Sequence, residues 1–134
     1  MDAATSDLAF LPLGGTGEIG MNFNLYRCGG KFLAVDCGMG FGGAENPEVD
    51  IMVPDVTYIA ERRASLLGLV ITHAHEDHIG AVAWLWPQLR CPVYATPFAA
   101  AVLRRKLTSA RKQPPAHTHL VHTLFTDTVQ RRIA

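Results

Sequence analysis

The segment His73-Ala74-His75-Glu76-Asp77-His78 constrains this chain more than any other. Three imidazoles and an aspartate, all able to ligate a metal, lie within six positions. They follow an apolar run, Leu66-Leu67-Gly68-Leu69-Val70-Ile71-Thr72, which reads as a buried strand. Such a strand end holds ligands rigidly at a sheet edge, where a metal can keep an open position for water. In extended chain, side chains at i and i+2 point the same way. His73 and His75 can therefore grip one ion together. Asp77 and His78 are neighbours, and at a turn into a helix both can face a second ion beside the first. The competing reading is a solvated histidine-rich turn. The density of ligands directly after a buried strand weighs against it.

The 134 residues make one domain or part of one, and 49% hydrophobic with 18% charged suits a globular core. Residues 1–7 carry no Lys or Arg and no apolar segment, so they are not a secretory signal and are expected to be disordered. No apolar stretch is long enough to span a bilayer. Cys28, Cys37 and Cys91 are far apart, odd in number and without a CxxC pair. This argues against a disulfide framework or a structural zinc knuckle and fits a reducing cytoplasm. They are expected to be small buried residues near strand ends. The net charge is zero, but unevenly spread. Residues 1–85 hold four basic and eleven acidic side chains; residues 86–134 hold eight basic and one acidic. The acidic half contains the metal motif. The basic half could meet a polyanion, but with charge as the only evidence solvated helix and tail charges are the stronger reading.

Residues 8–13 read as a strand running into Gly14-Gly15-Thr16-Gly17-Glu18-Ile19-Gly20. No Gly-Lys-Ser/Thr follows, so this is not a phosphate loop. It reads as a tight connection that brings backbone close to a site. Cys28-Gly29-Gly30-Lys31 signals a hairpin, and its return strand delivers Asp36 at its end. A carboxylate there can orient a metal-binding His through its other ring nitrogen, or else cap the following glycine loop. Residues 39–55 read as a long loop and 56–65 as a short helix with Arg62 and Arg63 exposed. Ile79, Val82, Ala83 and Trp86 recur at helical spacing, so a helix begins near Asp77 or His78. Gly80 would let that helix approach the strand closely. Trp84 and Trp86 are expected in the core or an interface rather than as a stacking platform. A strand over residues 92–96 and a helix over 98–107 follow. Gln113-Pro114-Pro115 breaks any helix. His117, His119 and His122 lack an acidic partner and a preceding buried strand, so residues 110–134 are expected to be an irregular tail.

These residues resemble the metallo-β-lactamase superfamily and, within it, the bacterial ribonuclease J family. The resemblance is carried by the stretch Leu11-Pro12-Leu13-Gly14-Gly15-Thr16-Gly17-Glu18-Ile19-Gly20-Met21-Asn22, by Val35-Asp36-Cys37-Gly38, by Thr72 through Ala81, and by Pro92-Val93-Tyr94-Ala95-Thr96-Pro97. It covers roughly residues 8–107. It implies an α/β (α+β) fold, the αββα sandwich of that family, with only its first half in residues 8–109.

The resemblance also implies a metal-dependent ribonuclease acting in RNA processing and decay. His73 and His75 would bind the first zinc, Asp77 and His78 the second, with manganese as an alternative. Asp77 would help position the attacking water, Asp36 would support the site from behind, and Glu76 would be an inert spacer. RNA would be the partner, without a membrane, and uncovered sheet faces would favour homo-oligomers. Further ligands, an RNA-gripping insertion and a second sheet have no counterpart here, so a truncated copy is expected. Two alternatives remain open: a hydrolase of the same fold acting on a thioester or lactam, and an inactive truncated product.

Overall fold

The computed structural model describes residues 8–45, 47–109 and 121–123. One six-stranded sheet runs in the order β1 (Ala9–Gly14), β2 (Phe23–Cys28), β3 (Lys31–Val35), β4 (Leu66–Val70), β5 (Val93–Ala95) and β6 (Val121–Thr123). β1, β2 and β3 pair antiparallel; β3, β4, β5 and β6 pair parallel. The β2–β3 hairpin turns at Gly29 and Gly30, both at positive φ, as the sequence predicts. The parallel strands are joined by helical crossovers, the connection such strands require.

Strand alternation sorts the residues onto two faces. Leu25, Ala34, Leu69 and Val93 stand opposite one another across four strands, and all four are buried. The helices cover this face. They are α1 (Thr57–Ala60), α2 (Glu76–Ile79), α3 (Val82–Leu89) and α4 (Pro97–Ser109). Ile59, Val82, Leu85, Leu89, Ala99, Ala100 and Leu103 complete the core from the helix side. Each fully buried Leu or Ile contributes roughly 1.5–3 kcal/mol relative to exposure. The opposite face carries the row Phe10, Tyr26 and Leu33, which stays open, with Phe10 54% exposed. Leu67 is exposed as well.

Several sequence expectations change. The predicted helix over 56–65 is shorter: α1 ends at Ala60 and a separate 3-10 turn covers Arg63–Ser65. Asp55 accepts from the Thr57 amide (2.9 Å) and hydroxyl (2.6 Å) at the start of α1. The Thr57 hydroxyl and amide bonds hold its carboxyl below the usual range. The helix expected from Asp77 is two helices, α2 and α3, separated at Gly80 and Ala81. Gly80 meets the Met39 side chain and its own helix's Glu76 carbonyl, not the strand. Cys37 and Cys91 are buried, but Cys28 is exposed because it ends β2 at the hairpin. Trp86 packs against the core and donates from Nε1 to the Cys91 carbonyl (2.8 Å). Trp84 is 51% exposed, contrary to expectation, because it lies off the α3 face that meets the sheet. The irregular tail does not hold for Val121–Thr123, which form β6 along the open edge of β5. Three residues are too few for a periodic signal. The rest of 110–134, with His117 and His119, and the expected disordered residues 1–7 lie outside the described residues. Among the described residues, no helix is long and apolar enough to cross a membrane.

Three backbone segments mesh beside the sheet. Gly38 N–H donates to the Asn22 carbonyl (2.9 Å), Met39 N–H to Glu76 (3.0 Å) and Cys37 N–H to His78 (2.8 Å). Asn22 N–H donates to the Asp77 carbonyl (3.1 Å) and Ala81 N–H to Cys37 (3.0 Å). A side chain at Gly38 would collide with the Asp77 carbonyl, which is backbone and cannot yield cheaply.

Gly38→Ala should therefore lower stability by at least ~1–3 kcal/mol, read from urea unfolding; an unchanged midpoint would contradict the mesh. The open row of Phe10, Tyr26 and Leu33, with Leu67, should make the purified chain bind a hydrophobic dye or sediment as oligomers. A monomer that unfolds in one sharp transition without dye binding would contradict that expectation.

Candidate metal centre

The cluster sits where strand β4 ends and α2 begins. β3 and β4 are parallel with Val35 opposite Val70, so Asp36 and the segment after β4 leave the sheet at the same edge. Asp36 N–H donates to the Val70 carbonyl (2.8 Å), which holds this exit. Asp36 then turns sharply, at φ 64. Aspartate tolerates this left-handed conformation better than most residues.

The Asp36 carboxylate is only 4% exposed, the sole buried charged side chain among the described residues. It is fully engaged. Oδ1 accepts from the Thr72 amide (2.8 Å), and the Thr72 hydroxyl lies 2.9 Å from Oδ2 and 3.0 Å from Oδ1. His78 Nδ1 is 2.7 Å from Oδ2. An ionised carboxylate only accepts, so Nδ1 of His78 carries a proton, and in the neutral ring Nε2 keeps its lone pair. The same logic extends to His73. The Thr72 hydroxyl donates to Asp36, so its oxygen accepts from His73 Nδ1 at 2.9 Å. That leaves Nε2 of His73 with its lone pair too. One buried carboxylate thus sets the tautomer of two histidines, directly and through Thr72.

The rings converge. His73 and His78 have ring centroids 4.0 Å apart, and His73 and His75 4.7 Å apart and edge-on. His78 Nε2 is 3.3 Å from Asp77 Oδ2. His73, His75, Asp77 and His78 therefore share one corner. Among the described residues, no three such side chains already close around a common point. Glu76 points away from the other four and pairs with Lys106 of α4.

Asn22 belongs to this corner, though the sequence reading quoted it only within a motif. Its Nδ2 donates to the Asp77 carbonyl (3.0 Å) and lies 3.4 Å from both Asp77 Oδ2 and His78 Nε2. Thr72 was likewise missed. Neither is an ordinary metal ligand, so ligand spacing gives no signal for them. The Gly-rich run before Asn22 was the only pointer. Cys37, next to Asp36, is not a competing ligand. Burial raises its thiol well above the ordinary range, with Cys91 and Asp36 adding to the effect. Burial also pushes Cys91 up to about 11. Both remain thiols rather than metal-binding thiolates.

Three imidazoles and a carboxylate suit a borderline-soft divalent cation such as zinc. Lone pairs released by hydrogen bonds at the opposite ring nitrogen are the usual support for such ligands. The donor set therefore fits a metal.

Comparison with known proteins agrees. Residues 22–129 match the family model of the metallo-beta-lactamase superfamily. The chain is 52% identical over 108 residues to ribonuclease J of Sinorhizobium meliloti, covering 78% of this chain and 19% of that protein. It is 42% identical over 113 residues to ribonuclease J of Mycolicibacterium smegmatis, covering 83% and 20%. Among solved structures, the short form of human tRNase Z aligns with a TM-score of 0.47 at 20% identity, covering 87% of this chain and 43% of that one. The chain spans about a fifth of the length of these curated relatives. The family match begins at Asn22 and runs across the whole metal corner. By this match the chain belongs to the metallo-β-lactamase superfamily, and over the matched residues it is similar to the curated ribonuclease J proteins.

Proposed function

We propose that this chain carries metal-ligating residues of a ribonuclease that hydrolyses RNA phosphodiester bonds. The observation that carries the reading is the hydrogen-bond chain from Asp36, which engages Nδ1 of both His73 and His78 and leaves Nε2 as the ligating nitrogen. The names of the curated relatives support RNA as the substrate class over a lactam or thioester. In this reading His73 and His75 would hold one zinc ion, and Asp77 and His78 a second; manganese is the alternative metal. Bound ions would supply a hydroxide at neutral pH and charge stabilisation for the phosphate. Hydrolysis of an RNA phosphodiester would join a water oxygen to phosphorus and break the ester P–O bond, the departing oxygen taking the proton the water gives up.

Each side chain has a distinct task. Asp36 keeps His78, and through Thr72 His73, in the metal-binding tautomer. Asn22 holds Asp77 and His78 side by side. Asp77 helps position the water. Among the described residues the four candidate donors give two per ion, where a catalytic zinc usually has three. Turnover by these residues alone should therefore be poor. Buried thiols without a disulfide suit a reducing cytoplasm. The direct test is turnover of RNA against a chromogenic lactam, with zinc or manganese supplied. Hydrolysis of the lactam but not of RNA would refute the substrate class.

His75→Ala should reduce bound zinc and abolish whatever turnover is measured, whereas Glu76→Gln should do much less. Equal metal loss in both, by elemental analysis, would sink the ligand assignment. Asn22→Ala should weaken zinc binding by about tenfold or more, the usual cost of losing a group that orients a ligand. A zinc titration indistinguishable from the parent chain would remove Asn22 from the site.

A further inference from the structure

An open groove of about 520 Å³ lies where α3 and α4 come together. Met39, Trp84 and Val102 supply its apolar wall; Arg105, Lys106 and Ser109 supply its polar one. Gly80 and Ala83 also line it. One end is Glu76, which stands in the chain between His75 and Asp77. The groove thus shares a backbone segment with the metal corner.

Three features define what it could hold. Trp84 offers a large aromatic surface, half exposed, inside a concave patch rather than on a convex one. A flat indole in such a place is a stacking platform, and every nucleobase has a face to stack on it. The charges are sorted as well. The Glu76 carboxylate is neutralised by Lys106, so Arg105 leaves the lining with a net positive charge. A guanidinium presents a planar fork of donors that matches phosphate. The size lies within the usual range of ~300–1,000 Å³ for sites that take small organic groups.

We propose that this groove binds single-stranded RNA, with one base stacked on Trp84 and the adjoining phosphate met by Arg105. The inference rests on the RNA reading above and adds a place where the strand is held outside the reacting centre. An acidic peptide would use Arg105 but has no need of the exposed indole, so the aromatic surface favours RNA.

The test measures binding of a short fluorescent oligouridylate to this chain by anisotropy, with a chelator present so that cleavage plays no part. Trp84→Leu should weaken binding by about tenfold. Arg105→Gln should weaken it too and reduce the slope of log affinity against log salt by about one. Arg63→Gln, on the exposed 3-10 turn, should change little. Circular dichroism should show all three folded like the parent; both groove substitutions are at surface positions. Failure of the parent chain to bind the oligonucleotide, or equal binding by the parent and both groove variants, would overturn the proposal. So would competition by oligoglutamate as effective as by unlabelled RNA, which would make the groove a protein-docking site. RNA turnover is measured separately with zinc or manganese. Intact turnover with unaffected binding in the variants would remove the groove alone, whereas hydrolysis of a chromogenic lactam but not of RNA by the parent would remove the substrate reading.

Discussion

The structure depends on one buried carboxylate. Asp36 lies within the protein with almost no access to water, and a buried charge is strongly destabilising unless it is paired. Its partners come from three places: the backbone after β4, the Thr72 hydroxyl, and the imidazole of His78 on α2. To satisfy one charge, the chain must bring the end of β3, the end of β4 and the start of α2 together. Those are the segments that carry the metal-binding candidates. The electrostatic requirement and the functional geometry are the same set of bonds.

The sheet makes that convergence feasible. β3 and β4 run parallel, so their carboxyl ends meet at one edge. β1 ends at this edge and β2 starts from it, which places the 15–22 loop and Asn22 there too. Open sheets of this kind bind ligands beyond the carboxyl ends of their strands, where loops from separate strands face one another. The backbone mesh of residues 21–22, 37–39 and 76–81 then fixes the loops more tightly than side chains alone could. Gly38 is required because a carbonyl occupies the space a side chain would need.

The same economy explains the surroundings. Glu76 turns away from the corner, and its carboxylate reaches Lys106 on α4. The segment that presents ligands on one side is thus tied on its other side to the helix layer. Exposed ion pairs of this kind contribute little to stability, roughly 0–1 kcal/mol. The effect of this pair is on charge: it removes a negative side chain from a groove that Arg105 leaves positive. The open sheet face is a different matter. Phe10, Tyr26 and Leu33 are apolar on a surface that water meets, so the fold as it stands buries only one side of its sheet.

The local elements were legible in residue order because they rest on local physics. Apolar alternation marks β2 and β3, and glycines that reach positive φ mark the hairpin between them. A continuous apolar run marks β4, and ligand density marks the metal corner at its end. Asp36 was legible as a carboxylate at a strand terminus, but whether it meets a histidine or caps the glycine loop is decided by the fold, which brings His78 to it. Thr72, Asn22, Trp84 and β6 were not. Thr72 and Asn22 act through hydrogen bonds across 36 and 55 residues of chain, and no spacing rule spans such distances. Trp84 differs from Trp86 only in which way the α3 surface turns, which packing against the sheet decides. β6 is a strand because β5 leaves it an edge to pair with. What the sequence determined by itself was the identity and local spacing of the chemical groups. What only the tertiary structure decided was which lone pairs are free to act, because a tautomer is set by a partner that the fold brings from elsewhere.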